Sequence, residues 1–444
     1  MSKEDATRFV CSECGHVSTK WLGKCPECGS WNSFAEEKVS TKTSAKVQNV
    51  SSVTLSSVPY EKDFRFESGI SELDRVLGGG IVRASAVLVG GEPGIGKSTL
   101  MLQLGSNCSA RRSVLYISGE ESGSQVRQRA ERLGLDTQGI NILCETKLAN
   151  IVHVIEAEKP QVLIVDSLQT LCSEDVSSIP GSVSQLRTCC MEITTICKAV
   201  GTSVFLIGHV TKEGTIAGPK IIEHMVDTVL YFEESSSDGV RMIRAVKNRF
   251  GSVDELGIFL MGPKGLEGVK DPASFFISER KDSILPPGIA YTAISEGTRT
   301  FMVEIQALVT DAKTGYTHVY SDKIDSSRVQ RVAAILERHA NIHLSDKDIY
   351  VNVAGGMKVN DVSAELALAM ALFSAGCNVK LPEKTVCFGE LSLAGEVRPV
   401  SYAEKRLKAA SEMGFVKAIV PSSVKDDPKL HLVRISKVSD IINR

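Results

Sequence analysis

One glycine-rich segment constrains the fold of this chain more than any other feature. It reads Gly91-Glu92-Pro93-Gly94-Ile95-Gly96-Lys97-Ser98-Thr99, and it lies between the apolar run 86–89 and the helix-forming run 100–104. A G-x-x-x-x-G-K-[ST] pattern between a strand and a helix forms a phosphate-binding loop, whose N–H groups surround a phosphate at the positive end of the helix. Residues 91–99 are therefore expected to bind a nucleoside triphosphate, with Lys97 at the β- and γ-phosphates and Ser98 at Mg²⁺.

A carboxylate about seventy residues further on completes this prediction. Asp166 ends the short apolar run Val162-Leu163-Ile164-Val165, which is typical of a buried parallel strand whose carboxyl end faces a ligand. Taken alone, such an aspartate is more often a turn or cap residue. Together with a phosphate loop, it is expected to hold the Mg²⁺ shell.

Length and charge limit the possible architectures and partners. At 444 residues the chain is too long for one compact core, and two or three domains are expected. With 51 Lys and Arg against 53 Asp and Glu, no global basic field indicates nucleic acid, so any DNA contact must be local. The N-terminus has no apolar signal region and no apolar stretch is long enough to span a bilayer, so a cytoplasmic protein without membrane contact is expected.

Four of the twelve cysteines have metal-ligand spacing. Cys11-x₂-Cys14 and Cys25-x₂-Cys28 form two knuckles, each followed by glycine, and four thiolates suit tetrahedral Zn²⁺ in a small zinc ribbon. Two unrelated redox pairs are the alternative. The module's core is expected to contain Trp21, Trp31 and Phe34.

The remaining cysteines are expected to be small buried hydrophobes in a reducing compartment: Cys108, Cys144, Cys172, Cys189, Cys190, Cys197, Cys377 and Cys387.

The rest of the pattern predicts an α/β protein. A metal module over 1–34 and a flexible linker over 35–60 precede an ATPase domain over 61–280, and a separate α/β domain follows over 281–444. The ATPase domain is expected to hold a mostly parallel sheet with helices on both faces. Its predicted strands are Ala86–Val89, Val114–Ile117, Val162–Val165, Val204–Ile207 and Val229–Phe232, with a hairpin in 239–262. In the last domain, strands are predicted at Phe301–Leu308 and Ile349–Val353 and a helix at Ala364–Phe373.

Two motifs resemble a known family. Residues 68–80, SGISELDRVLGGG, resemble the segment that leads into the phosphate loop of RecA-type ATPases, and KNRFG at 247–251 is similar to the motif of the bacterial RadA (Sms) DNA repair family. The resemblance covers nearly the whole chain, including the zinc module, a RecA-like core and a Lon-protease-like domain. It implies a DNA-dependent, helicase-like ATPase of homologous recombination that uses ATP, Mg²⁺ and Zn²⁺. It further implies a homo-hexameric ring on single-stranded or branched DNA, working with other recombination proteins.

The resemblance also assigns catalytic positions. Glu120 follows a strand at the place of the RecA-type catalytic glutamate, with Glu121 as the second choice, whereas alone it would be a helix-cap acid. His209 lies where RecA-type proteins sense the γ-phosphate, although a lone histidine is often structural.

Four basic residues receive roles at interfaces. Lys247 and Arg249 resemble cations that reach the γ-phosphate of a neighbouring subunit, and an exposed basic hairpin is the alternative. Lys212 and Lys220 lie in the loop where RecA-like proteins contact DNA, and an ordinary surface loop is the alternative.

The Lon-like region departs from its family at the catalytic pair. Residues 355–364 resemble the segment of the Lon nucleophile, with Ser363 at the serine, and residues 389–399 resemble the strand before the catalytic lysine. Counting in register places Glu404 at that lysine, and a carboxylate cannot act as the amine of a Ser-Lys dyad. A scaffold for ring assembly or DNA is therefore expected. A non-motor ATP switch and an ATP-dependent serine protease remain the alternative functions.

Overall fold

The computed structural model describes residues 7–11, 16–27, 29–38, 54–57, 64–209, 221–234, 239–253, 255–269, 275–277, 285–312 and 317–442. They fall into two compact units, Met1–Glu234 with Arg241–Gly268 and Ser235–Val240 with Val269–Arg444. The second unit thus begins its main segment at Val269, ahead of the boundary expected at 281. Within the described ranges, no helix is long and apolar enough to cross a bilayer.

The N-terminal module is a three-stranded antiparallel sheet in the order β2-β1-β3. Its strands are β1 (Thr7–Cys11), β2 (Val17–Ser18) and β3 (Phe34–Lys38), so ordered pairing continues past residue 34. Its buried core consists of Cys11, Cys25 and Phe34. The prediction that Trp21 and Trp31 belong to this core was wrong, because they are 52% and 71% exposed. A single small sheet has no second layer that could cover two indoles.

After the N-terminal module, the first unit holds a nine-stranded sheet in the order β14-β13-β12-β11-β6-β10-β9-β7-β8. We call this part the ATPase unit, because it spans the predicted ATPase domain. The strands from β11 to β8 in this order pair in parallel, and β12 pairs antiparallel with β11. The short strands β4 (Arg65–Phe66) and β5 (Ile81–Val82) pair separately. The strands of the large sheet are β6 (Ala86–Gly91), β7 (Val114–Ser118), β8 (Ile140–Cys144), β9 (Val162–Asp166), β10 (Ser203–His209), β11 (Thr228–Glu234), β12 (Val240–Asn248), β13 (Leu256–Gly262) and β14 (Gly265–Gly268).

Helices cover both faces of this sheet because its strands are apolar on both sides. Along β6, Val87 packs into one apolar cluster with Leu100, whereas Leu88 packs into the opposite cluster with Ile193. The helices are α1 (Ser71–Val76), α2 (Lys97–Ser109), α3 (Gly123–Leu133), α4 (Leu148–Glu158), α5 (Val183–Val200) and α6 (Ile221–Met225). The predicted strands and the doubly covered sheet are confirmed.

The second unit holds a seven-stranded mixed sheet in the order β17-β18-β16-β15-β19-β22-β23, beside the short pair β20-β21. Its strands are β15 (Ile289–Glu296), β16 (Arg299–Asp311), β17 (Val319–Ser321), β18 (Lys347–Val353), β19 (Thr385–Cys387), β20 (Glu390–Leu391), β21 (Val397–Arg398), β22 (Lys417–Pro421) and β23 (His431–Ile435). Its helices are α7 (Ser326–Ala340), α8 (Glu365–Cys377) and α9 (Ala403–Glu412). The residues of α8 from Glu365 to Leu372 are all buried, which explains its continuous apolar sequence.

The scattered cysteines follow the prediction only in part. Cys108, Cys189, Cys190, Cys197 and Cys387 are buried, and burial raises the pKa of each thiol, to about 11 for Cys108 and about 12 for the others. Cys144 and Cys377 are exposed and Cys172 is half-buried, so the expectation of burial was wrong for these three. They lie at the end of β8, the end of α8 and in a loop, where the chain reaches the surface.

Candidate active site

The phosphate loop connects β6 to α2 as predicted. Its glycines are required by backbone shape: Gly96, the N-cap of α2, has φ 117°, and a Cβ there would lie 2.7 Å from Met261 Cε. A Cβ at Gly91 would lie 2.8 Å from the Cβ of Phe232. The loop therefore keeps its shape only with glycine at these places, and its shape directs backbone N–H groups and the start of a 13-residue helix at one point.

Lys97 is buried against its own loop. Its Nζ donates to the carbonyl oxygens of Gly91 at 2.7 Å and Glu92 at 2.8 Å. Burial lowers the pKa of Lys97 to about 8, although Asp166 and Glu120 attract its positive charge. An ammonium held by two neutral carbonyls in a polar cavity is suited to exchange them for phosphate oxygens.

A cavity of about 330 Å³ lies over this loop. Its lining includes these predicted residues: Pro93, Gly94, Gly96, Lys97, Ser98, Thr99, Glu120, Asp166 and His209. Gly91 and Glu92 contribute the carbonyls that hold Lys97, and Ile95 is buried below the loop with its carbonyl accepting from Arg241 Nε at 3.1 Å. The size and the donor set fit a triphosphate with a divalent cation, since ammonium, hydroxyl and carboxylate groups surround one polar space.

Asp166 is held by a buried tyrosine that the sequence reasoning did not single out. The Tyr116 hydroxyl donates to Asp166 Oδ2 at 2.6 Å, across the neighbouring strands β7 and β9. Burial raises the pKa of Tyr116 well above its usual value, and the Asp166 charge raises it further, so the hydroxyl stays a donor. This contact fixes the orientation of a carboxylate that lines the cavity.

Glu120 and His209 meet at the carboxyl ends of β7 and β10. Glu120 Oε1 accepts a 2.5 Å hydrogen bond from Ser167 Oγ and lies 3.3 Å from His209 Nε2. Burial favours a higher pKa for Glu120, but the bonds from Ser167 and His209 outweigh it and leave the pKa lowered. Glu121 is instead ion-paired with Arg129. An ionised, oriented carboxylate in the cavity is what a water-activating residue requires.

Two arginines that sequence reasoning missed also line the cavity. Arg129 and Arg132 lie three residues apart on α3, which places them on one face of that helix. A signal for them was available in the sequence, because α3 begins at Gly123, only three residues after Glu120. The expected DNA-contacting residues Lys212 and Lys220 lie outside the described residues, so their role stays a prediction.

Lys247 and Arg249 do not line the cavity of their own chain. The Nζ of Lys247 donates to the carbonyl oxygens of Glu223 at 2.7 Å and Val226 at 2.8 Å. Arg249 NH1 lies 3.2 Å from Asp227 Oδ1, and its side chain is largely exposed. Burial and the adjacent Arg249 charge lower the pKa of Lys247. Lys247 is the last residue but one of β12, and Arg249 directly follows the strand.

Two of the four cysteines of the predicted zinc module lie within the described residues. Cys11 and Cys25 are buried, the Cys11 N–H donates to the His16 carbonyl at 2.9 Å and the Cys25 N–H donates to the Ser30 carbonyl at 2.8 Å. In the part of the module that the structure describes, the buried core holds only one large apolar side chain besides these cysteines. Cysteine thiolates bind Zn²⁺ well, and a structural metal can stabilise a module that has so small an apolar core. Cys14 and Cys28 lie outside the described residues, and no group of three or more metal-binding side chains occurs within the described ranges.

In the second unit, Arg406 rather than Glu404 faces Ser363. Arg406 NH1 donates to Ser363 Oγ at 2.8 Å and NH2 pairs with Asp361 Oδ2 at 2.8 Å. Arg406 and Ser363 are buried, and Asp361 is half-buried. Burial favours a higher pKa for Asp361, but the Arg406 charge and hydrogen bonds leave it lowered. Glu404 is exposed, and its placement at the lysine position of the family stays a prediction, whereas the residue of α9 that contacts Ser363 lies two positions further along the helix. A guanidinium cannot be deprotonated and so cannot serve as a general base.

Comparisons with known proteins agree with this arrangement. Family models match residues 66–143 as KaiC ATPase, residues 317–424 as subunit ChlI of Mg-chelatase and residues 9–36 as a rubredoxin metal-binding domain. The chain is 48% identical to DNA repair protein RadA of Treponema pallidum, over 98% of this chain and 96% of that protein. It is 39% identical to DNA repair protein RadA of Escherichia coli, over 100% and 99% of the two proteins. The predicted resemblance and the α/β fold class are confirmed, and the chain belongs to the RadA family of DNA repair proteins.

Proposed function

We propose that this protein is a DNA-dependent ATPase of homologous recombination and DNA repair. It would act in the cytoplasm as a ring-shaped, helicase-like motor that processes single-stranded or branched recombination intermediates. The observation that carries the ATPase part is the convergence of Lys97, Glu120, Asp166 and His209 on one cavity. DNA as the activating partner is supported by the printed names of the relatives, which describe DNA repair.

Each residue has a task in this reaction. The loop N–H groups and Lys97 hold the phosphates, and Tyr116 keeps Asp166 oriented for the metal shell. When bound, Mg²⁺ offsets the negative charge that develops as the γ-phosphoryl group is transferred. Glu120 orients the attacking water and accepts its proton, since Ser167 and His209 already hold Oε1 in place.

His209 gives the site a route to the DNA-contacting loop. Its ring touches Glu120, its carbonyl accepts from Gln169 Nε2 at 3.5 Å, and the loop predicted to carry Lys212 and Lys220 follows it directly. Loss of the γ-phosphate would alter the position of Glu120 and hence the contact with His209. Nucleotide state and DNA contact would then change together.

We further propose that the ring is a homo-hexamer in which Lys247 and Arg249 act on the neighbouring subunit's nucleotide. Their absence from the cavity of their own chain supports action in trans. Arg249 is anchored through Asp227, which also accepts from Lys198 Nζ at 3.1 Å and from the Ala86 N–H at 3.0 Å. A cation on such a rigid support can be presented to a neighbour without reordering.

The deciding experiment measures ATP turnover with Mg²⁺, with and without a single-stranded oligonucleotide. A motor is expected to turn over ATP faster with DNA, whereas a timing switch would hydrolyse ATP at an unchanged rate. Glu120→Gln is the matched variant, because the amide keeps the shape and most contacts but cannot accept a proton. It should bind ATP and lose about 10²-fold or more in turnover in both conditions.

A further inference from the structure

Both tryptophans of the chain lie in the N-terminal module, and both are exposed. Trp21 is 52% and Trp31 is 71% accessible, although tryptophan has the largest apolar area of any side chain to remove from water. Exposed large aromatic groups commonly mark contact surfaces, because a partner that covers them gains that area. The two tryptophans therefore do not belong to the core of the module, and their exposed rings are candidates for contact with a partner.

The module fixes the Trp21 ring and the backbone that carries Trp31. Trp21 Nε1 donates to the Phe34 carbonyl at 3.3 Å, and a Cβ on Gly23 would lie 3.8 Å from Trp21 Cζ3, so the ring lies against Gly23. Trp31 pairs antiparallel with Lys24 across a hairpin closed by the Asn32 N–H to Gly23 carbonyl bond of 2.8 Å. Rings that are already positioned lose little conformational entropy on binding.

One exposed lysine lies beside the Trp31 ring, and a second exposed lysine directly precedes Trp21 in the chain. The Nζ of Lys24 lies 5.5 Å from the ring centroid of Trp31. Lys20 precedes Trp21, and its backbone is fixed by Ser18 Oγ, which donates to the Lys20 carbonyl at 2.6 Å and accepts from the Lys20 N–H at 3.2 Å. Aromatic faces beside cations match a strand whose unpaired bases stack while its phosphates are neutralised.

We infer that Trp21, Trp31, Lys20 and Lys24 form a stacking surface for unpaired bases of single-stranded DNA. We call these four residues the indole surface. The inference rests on the proposed function and deepens it, because it assigns part of the DNA contact to the zinc module rather than to the ATPase unit alone. Duplex DNA is disfavoured at this surface, since its bases already stack on one another.

Tryptophan fluorescence tests this directly, because the chain's two tryptophans are both in the indole surface. The full-length, zinc-loaded protein is titrated with oligothymidylate and with a duplex of equal length at low salt. The single strand is expected to quench the emission, with little change from the duplex. Trp21→Ala and Trp31→Ala should each weaken single-strand binding about tenfold, measured by anisotropy of a labelled oligonucleotide.

Two further variants separate stacking from charge and from apolar contact. Lys20→Ala with Lys24→Ala should flatten the dependence of log affinity on log salt by about 0.7 per lost phosphate contact. Val17→Ala is the matched control, because Val17 is also 52% exposed in the same module but has no ring. It should leave the affinity unchanged. Zinc content is measured for every variant, so that a variant that lost its fold is recognised.

The outcomes are distinguishable. If single-stranded DNA stimulates ATP turnover but neither quenches tryptophan nor binds the tryptophan variants more weakly, the indole surface is excluded and the proposed function stands. If those variants keep full DNA affinity yet fail only when other recombination proteins are present, the surface binds protein and the inference is wrong. If the protein neither binds single-stranded DNA nor responds to it, the proposed function fails and the inference fails with it.

Discussion

Tyr116 holds Asp166 by a 2.6 Å hydrogen bond from its phenol to Oδ2, although the tyrosine itself is only 1% exposed and does not line the cavity. The bond therefore acts on nucleotide chemistry only through the carboxylate. Neighbours of this kind commonly contribute 10- to 100-fold to metal affinity or activity.

Tyr116→Phe should raise the Mg²⁺ concentration needed for half-maximal ATP binding by about tenfold, because Asp166 loses the group that orients it. The measurement is binding of a fluorescent ATP analogue as a function of Mg²⁺, which does not depend on turnover. Tyr231→Phe is the control. The Tyr231 hydroxyl donates a 2.9 Å hydrogen bond to Glu223 Oε1, and neither residue lines the cavity. Equal Mg²⁺ dependence in wild type and Tyr116→Phe protein would contradict the positioning role.

Because Lys97 is buried, we expect the free energy of unfolding of the nucleotide-free protein to depend on pH. Burial lowers its pKa to about 8, from an ordinary value of 10.5 in the unfolded chain. Between these values the unfolded state binds more protons than the folded state, so raising the pH through this window stabilises the fold; below about pH 8 the full cost of the buried charge is present. The free energy of unfolding of wild type, relative to Lys97→Met, should therefore increase from about pH 8 to about pH 10. A constant difference would contradict the assignment.

The buried Arg406 guanidinium holds both Ser363 and Asp361. Arg406→Ala should destabilise the protein by about 3 kcal/mol, because it leaves the half-buried Asp361 charge without its cation and the buried Ser363 hydroxyl without its donor. Arg398→Ala removes an exposed pair with Glu396 and should cost less than about 1 kcal/mol. Calorimetric unfolding of the full chain measures both. Peptidase activity that Ser363→Ala abolishes would overturn this view of the site.

The zinc prediction can be tested on the whole protein. One equivalent of Zn²⁺ per chain is expected, and Cys11→Ser or Cys28→Ser should lose it because a structural site needs all four ligands. Cys144→Ser is the control, since this thiol is exposed and outside the module. The ATPase unit should still fold in every variant, which basal ATP binding checks. Purified protein without zinc, prepared without chelator, would remove the claim.

The sequence predicted those site residues that belong to a recognisable sequence motif, and it missed a residue whose role depends on a contact between two strands. Lys97 was found from the phosphate-loop motif and Asp166 from its place at the end of an apolar strand, whereas Glu120 and His209 came from the family resemblance. They meet because parallel strands bring their carboxyl ends, and the loops that follow them, to one edge of the sheet. Tyr116 was missed because a buried aromatic residue inside a strand looks like any core residue until its hydroxyl is located.

The errors have equally specific causes. Arg406 was missed because the residue of α9 that faces Ser363 depends on how the helix is rotated about its axis, which counting along the sequence does not give. The two tryptophans were assigned to a core because residue type was read as burial, while a small sheet had no layer to cover them. Both depend on three-dimensional neighbours that a single sequence does not specify.

Lys247 and Arg249 stand at the end of β12 and outside the cavity of their own chain. Lys247→Ala or Arg249→Ala protein should bind ATP normally but hydrolyse it about 10³-fold more slowly, if each cation offsets charge on a neighbour's γ-phosphate. Lys97→Ala protein should also be inactive, for the different reason that its own phosphate loop lacks the ammonium.

Mixing an inactive cation variant with Lys97→Ala protein tests whether the charge acts between subunits. In mixed rings, some interfaces pair an intact phosphate loop with an intact cation, so partial turnover should return. Mixing Lys97→Ala with Glu120→Gln protein is the matched control, because Lys97 and Glu120 line the same cavity of one chain. If Glu120 acts on the nucleotide of its own subunit, every site in the mixed ring lacks either Lys97 or Glu120, and turnover should stay absent. A cation mixture no more active than its components, in rings shown to exchange subunits, would mean that these residues act within their own chain or on DNA.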